Sequence, residues 1–184
     1  LGLKGLLTSN HPYHRHAEVT HFLAWYGGQP VGRISAAINH RFNDYHGTCV
    51  GFFGFFEVIQ DYKVAKSLLD RAREWVVDHG MTILRGPGEY SNATYERQGI
   101  LVDGFQYRPT MELTHNPPYY GEFLDQYGFH KAKDYYAYTL DVQAPIHPRL
   151  KRLVEEVRLR REIETRPLNI KELPTEVRMI VKIY

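Results

Sequence analysis

Apolar residues along the chain follow two periods, and the change between them fixes most of the expected elements. Residues 1–19 are rich in His, Pro and Asn and have no clean period, which predicts an irregular arm with one short helix. The apolar, aromatic run 20–26 predicts a strand, closed by the turn signal Gly27-Gly28-Gln29-Pro30. A second strand is expected over 31–40, with Val31, Ile34, Ala36 and Ile38 as its apolar points. Asn43-Asp44 and Gly47 predict a second hairpin turn over 42–47. The nearly all-apolar stretch 48–57 reads as a central third strand, with Gly51 and Gly54 marking a bulge or a close approach. Then Val64, Ala65, Leu68, Leu69, Ala72, Trp75 and Val76 recur at helical spacing. That predicts a helix over 62–79, capped by Asp61 and stopped by Gly80, and a short strand at 81–84. A helix joining two strands through tight turns predicts a right-handed crossover with parallel pairing.

The second half is less regular. It predicts a short helix near 93–98, a strand near 111–114, and a helix over 119–127 started by Asn116-Pro117 and closed by Gly128. A last long strand is expected at 135–142, a basic helix from Pro148 to about 160, a strand at 162–168 and a helix at 174–184.

Composition narrows the function classes. The 184 residues suffice for about one domain with a real core. Twenty-three Lys and Arg against 21 Asp and Glu leave a net charge of +2, so bulk charge makes no case for nucleic acid. The basic run Arg149, Lys151, Arg152, Arg158, Arg160 and Arg161 contains Glu155 and Glu156, the pattern of a solvated helix face. One cysteine, Cys49, excludes an internal disulfide framework. No apolar run reaches membrane-spanning length and no signal peptide is visible, so the expected place is the cytoplasm. The first residue is Leu1, and the last helix runs into Tyr184, so the chain is expected to be cut from something longer.

Candidate chemistry lies where the third strand meets the helix, at Val58-Ile59-Gln60-Asp61-Tyr62-Lys63. A helix N-terminus has unpaired amides and a partial positive charge, which suit a pyrophosphate. Glu57 ends the strand and is either a general base or a solvated strand end. Tyr119 and Tyr120 offer either active-site hydroxyls or aromatic packing beneath a loop. Glu89, Ser91 and Asn92 follow a strand tip and either line an acceptor cleft or form a turn. In an extended segment His14, His16 and Glu18 would share one face, with His21 near, which gives a weaker metal-dependent hydrolase reading.

A set of runs carries a resemblance: His16-Ala17-Glu18, Val31-Gly32-Arg33-Ile34, Gly51-Phe52-Phe53-Gly54-Phe55-Phe56-Glu57, Gly86-Pro87, the stretch from Gly99 to Phe105, the stretch from Asn116 to Tyr120, and Tyr127-Gly128-Phe129. On these the chain resembles the GNAT superfamily of acyl-CoA-dependent N-acetyltransferases, and more closely a branch of large, often tandem acetyltransferase-like proteins. The resemblance covers about residues 16–141. It implies an α+β fold with a GNAT-like mixed central sheet flanked by helices, and acyl-CoA bound where two parallel strands splay. Residues 1–146 would form the acyltransferase domain with its N-terminal arm, and 147–184 a linker helix plus the start of a second such unit.

The implied activity is transfer of an acetyl group from acetyl-CoA, or another acyl-CoA, to a small-molecule or peptide amine by direct attack on the thioester. No metal, nucleic acid or membrane partner is implied; the expected partners are a homodimer mate or a tandem second domain. The cofactor would be held by Phe55, Phe56, Val58, Gln60, Asp61, Tyr62, Lys63, Val64 and Ala65. Glu57, Tyr119 and Tyr120 would do the chemistry, and Glu89, Ser91 and Asn92 would bind the acceptor. Two departures stand out. Lys63 replaces the first glycine of the family's pyrophosphate loop and Asp61 adds a negative charge there. Leu124 stands where the family has a tyrosine four residues before Gly128-Phe129. The alternative is a catalytically inactive GNAT-like binding or dimerisation module.

Overall fold

The computed structural model describes residues 5, 7–8, 10–90, 97–110, 113–161, 163 and 165–183. The chain divides into two compact units, Leu1–Lys133 and Asp134–Tyr184. The first begins with a 3-10 turn, Pro12–Arg15, followed by β1 (Ala17–Tyr26), β2 (Gln29–Asn39), α1 (His40–His46), β3 (Val50–Val58), α2 (Tyr62–Asp78), β4 (Ile83–Arg85) and α3 (Tyr119–Tyr127). The strands form one sheet in the order β1-β2-β3-β4. The first three pair antiparallel and β4 runs parallel to β3, so the class is α+β with a four-stranded mixed sheet. The expected parallel crossover through α2 is present.

The β1–β2 connection has Gly27 and Gly28 both at positive φ, +56° and +78°, as a two-residue hairpin turn with the twist of its strands demands. The expected second turn is instead the helix α1. Asn39 caps it by accepting from the Phe42 amide at 3.0 Å, and Gly47 ends it in the left-handed region. Asn43, which read as a turn residue, is buried at its centre. Its Oδ1 accepts from the Val50 amide and its Nδ2 donates to the Val50 carbonyl, both at 3.0 Å, so it clamps the start of β3.

The core lies between one sheet face and two helices. Ile34, Ala36, Phe53, Phe56 and Val58 meet Leu68, Leu69, Ala72 and Val76 of α2 and Tyr120, Phe123 and Leu124 of α3. Each buried Leu or Val there contributes about 1.5–3 kcal/mol over an exposed one. Asp61 caps α2 as expected, accepting from the Lys63 amide at 2.8 Å, and the chain leaves the helix through Gly80 at φ +79°. Tyr127 ties α3 to α2 by donating to Asp70 at 2.9 Å; burial and that carboxylate push its hydroxyl up to about 12.

The second unit holds α4 (Pro148–Arg161), a 3-10 turn (Ile170–Glu172) and α5 (Leu173–Val181). Neither strand expected in this half is present among the described residues. Residues 135–142 alternate correctly but pair with no described strand, and Tyr138, Leu140 and Val142 are exposed. The described residues of 162–168 likewise hold no strand. The short helix expected near 93–98 and the strand near 111–114 fall largely on 91–96 and 111–112, outside the described residues. Among the described residues no helix is long and apolar enough to cross a membrane.

Candidate active site at the parted edge of the third strand

Strand β3 changes phase within its own length. Arg33 pairs with Glu57 and Ser35 with Gly54, so β3 spends one residue more than β2 between these pairs. The bulge is at Phe55, the one described non-glycine residue at positive φ, +48°. Strict alternation would put Phe53 and Phe55 on one face. Instead Phe53 and Phe56 share the helix-facing core, with ring centroids 6.3 Å apart, while Phe55 crosses to the opposite face against Tyr90 at 5.0 Å.

The bulge lies just past the end of the β3–β4 pairing. Strand β4 ends at Arg85, whereas β3 runs on to Val58. The Gly88 amide donates to the Phe53 carbonyl at 2.9 Å near the point of separation. Past it, α3 supplies the partners. The Val58 amide donates to the Tyr120 hydroxyl at 3.0 Å, and the Tyr119 hydroxyl donates to the Val58 carbonyl at 2.9 Å. Tyr120 in turn donates to Glu57 Oε2 at 3.0 Å. Arg33 approaches the other carboxylate oxygen at 3.7 Å, an exposed pair of little energetic weight. Burial first, then the nearby Glu57 charge, raises the proton affinity of both hydroxyls, strongly at Tyr120. The three expected catalytic residues therefore converge on one strand end.

The expected cofactor residues divide by atom type. The side chains of Phe55, Phe56, Val58 and Ala65 are buried in packing, so only their backbone is available to a ligand. Tyr62 lies against Phe123 at 5.7 Å, and Val64 packs on the core. Gln60, Asp61 and Lys63 are exposed at the start of α2. The Asp61 carboxylate, however, already accepts from the Lys63 amide.

The expected acceptor residues are not brought to this edge as free groups. Glu89 is ion-paired with Arg97 at 2.7 Å, and its amide donates to the Arg97 carbonyl at 3.0 Å. Ser91 and Asn92 lie outside the described residues. The expected histidine face does not form either. His14 sits in the 3-10 turn against Tyr90 at 5.4 Å. Glu18 on β1 instead meets His40 at 2.8 Å and His79 at 3.8 Å. The reason is local: Pro12 opens a turn that removes His14 from the strand on which Glu18 stands. Among the described residues no three His, Cys, Asp or Glu side chains are placed to hold a metal ion.

Sequence reasoning passed over Ser35 and Tyr90 and placed His21 only beside the histidine face of the metal reading. His21 Nδ1 is 2.6 Å from Ser35 Oγ, and its Nε2 is 3.4 Å from the Tyr90 hydroxyl. Burial, then the nearby His14, lowers the proton affinity of His21. The Gly27-Gly28 turn alone would set Ile34 opposite His21; a one-residue register shift between Ala24 and Trp25 makes Ser35 its cross-strand partner instead, and no local signal announces that shift.

Comparison with known proteins gives two similar chains. Protein YghO of Escherichia coli K12 is 28% identical over 179 residues, covering 97% of this chain and 45% of YghO. A bacterial ceramide synthase of Caulobacter vibrioides is 36% identical over 137 residues, covering 74% of this chain and 35% of that protein. The chain spans less than half the length of either relative. No protein-family model matches it, and no solved structure matches it.

Proposed function

We propose that the chain is a GNAT-like unit that transfers an acyl group from acyl-CoA to an amine at the parted edge of β3. The observation that carries this reading is the convergence of Glu57, Tyr120 and Tyr119 on the Val58 backbone, beside a bulge and a strand separation. In it the thioester lies along the open edge near Phe56, and the pyrophosphate lies at the start of α2. Backbone alternation from Val58 directs the Phe56 amide to the same edge, where it polarises the thioester carbonyl. Glu57 takes a proton from the attacking amine. Tyr120, hydrogen-bonded to that carboxylate, passes the proton on to the departing thiolate. A hydroxyl of raised proton affinity stays protonated and acts as this shuttle, never as a free base.

The name of the Caulobacter relative supports amide formation, since ceramide is an amide of a fatty acid with a long-chain amine. That makes long-chain acyl donors and amines candidates beside acetyl-CoA and small or peptide amines. The proposed location is the cytoplasm, where acyl-CoA is available.

A second reading, an inactive GNAT-like binding or dimerisation module, is favoured by one feature. The groups that CoA would use are already occupied: Val58 by two tyrosine hydroxyls, and the Lys63 amide by Asp61. Product analysis separates the two readings. The chain is incubated with acetyl-CoA or palmitoyl-CoA and with spermidine or sphinganine, and amides are detected by mass spectrometry. Active transfer yields an amide and free CoA in equal amounts. Absence of amide from every pairing leaves the binding module as the function.

A further inference from the structure

The sheet face opposite α2 carries a row of polar groups that the acyl-transfer reading leaves unused. His21 on β1 is the cross-strand partner of Ser35 on β2, and Ser35 is the partner of Gly54 on β3. The row thus runs across three strands to the place where β3 and β4 separate. Ser35 is buried, while the His21 side chain reaches solvent. Beside them is a cavity of about 10 Å³, lined in part by Tyr13, Ser35, Gly54, Phe55, Gly88 and Tyr90. That is room for about one water. Further phenylalanines and Ala37 also line it, and the buried Ser35 hydroxyl links this small cavity beside the Phe55 bulge to an imidazole open to water.

We propose that Ser35 and His21 carry to solvent the proton that amide formation releases. The proposal rests on the acyl-transfer reading and supplies what its stoichiometry needs. An alkylammonium sheds two protons on becoming an amide. The departing thiolate takes up one, delivered through Glu57 and Tyr120, and the other must leave the site. A water in the cavity accepts it from nitrogen and gives a proton to Ser35 Oγ as that hydroxyl gives its own to His21 Nδ1. The imidazolium then loses the Nε2 proton to bulk water. Each O–H or N–H bond broken is matched by one formed, and no electrons are exchanged between groups.

The groups around His21 suit this work. Ser35 from β2 and Tyr90 from the segment after β4 hold its two nitrogens, and His14 from the 3-10 turn disfavours its charge. Arg33 and Glu57 stand in the adjoining row. With its proton affinity lowered, the imidazole is neutral and ready to accept at neutral pH.

The test compares kcat/KM from pH 5.5 to 9 for the wild-type chain, His21→Gln, Ser35→Ala and Ser35→Thr, with the acyl-CoA and amine that react in the product assay. The wild type is expected to lose rate on acidification with a midpoint below 6.5, the ordinary histidine value. His21→Gln and Ser35→Ala should fall about 10²-fold at pH 7. They should also lose that acidic limb and approach the wild type at high pH, with acyl-CoA affinity unchanged. Ser35→Thr, which keeps the hydroxyl, should restore both rate and limb. A wild-type profile in His21→Gln overturns the relay alone, as does a loss uniform across pH that Ser35→Thr does not rescue. A wild-type chain that transfers nothing overturns the acyl-transfer reading and the relay with it.

Discussion

Glu57→Gln is expected to lower acyl transfer by about 10²–10⁴-fold, the range that loss of a positioned general base produces. The substitution keeps the shape of the side chain and a carbonyl that accepts from Tyr120, so the strand end stays formed. It removes the negative charge and the site that holds the amine proton. The exposed Arg33 contact contributes little to stability, so the melting temperature should stay within a degree or two. Acyl-CoA affinity should also hold, because the cofactor is assigned to backbone groups. Tyr120→Phe is the informative companion. It breaks the shuttle and also leaves the buried Val58 amide unpaired, at a cost of about 1–3 kcal/mol. It should therefore lose both activity and stability where Glu57→Gln loses activity alone. A Glu57→Gln chain that turns over at the wild-type rate would remove the carboxylate from the mechanism.

Gly54→Ala is expected to be the most damaging small substitution in the first unit. A Cβ at this position would collide with the Gly88 carbonyl oxygen, a backbone atom that cannot move as a side-chain tip does. Relief requires pushing the segment after β4 off β3, which breaks the Gly88–Phe53 hydrogen bond and opens the cavity beside Tyr90. A loss of about 3–5 kcal/mol follows, from overpacking together with a severed backbone contact. Gly80→Ala supplies the contrast. It meets open space but sits at φ +79°, so it carries only left-handed strain, about 1–2 kcal/mol. Urea denaturation of both variants checks this order; equal midpoints would mean that the two segments do not touch as described.

What the sequence revealed followed from periodicity and local capping. The three antiparallel strands, the crossover helix with its Asp61 cap and Gly80 exit, and the parallel return strand rest on signals within a few residues of one another. Errors arose where partners are distant. Asn43 and Gly47 have turn chemistry, yet Asn43 sits at the centre of α1, where it clamps Val50 at the start of β3, and Gly47 ends that helix. Asn116 read as the cap of α3, yet it is buried and accepts from the Leu101 amide at 2.7 Å, while the helix begins at Tyr119 after an uncapped Pro118. Residues 135–142 have strand alternation but pair with no described strand.

The candidate site was legible in its parts but not in its wiring. Glu57, Tyr119 and Tyr120 were identified as polar groups near an expected cleft. Their hydrogen bonding through one residue, Val58, depends on the phase shift at Phe55, which no local pattern announces. The His21–Ser35 pair was hidden for the opposite reason. Ser35 looks ordinary in the chain, and only the strand register past the irregularity between Ala24 and Trp25 brings it against His21.

The central claim is that acyl-CoA lies along the edge of β3 past the bulge, with its phosphates at the start of α2. Titrating acetyl-CoA into the ¹⁵N-labelled chain and following backbone amides by NMR tests it most directly. The account predicts saturable shifts at Phe56, Val58, Lys63, Val64 and Ala65, with the Val58 amide moving as the tyrosine hydroxyls are displaced or re-aimed. Amides at the β1–β2 turn, Gly27 and Gly28, should stay still. No shift at millimolar acetyl-CoA, or shifts confined to residues away from β3 and α2, would contradict it.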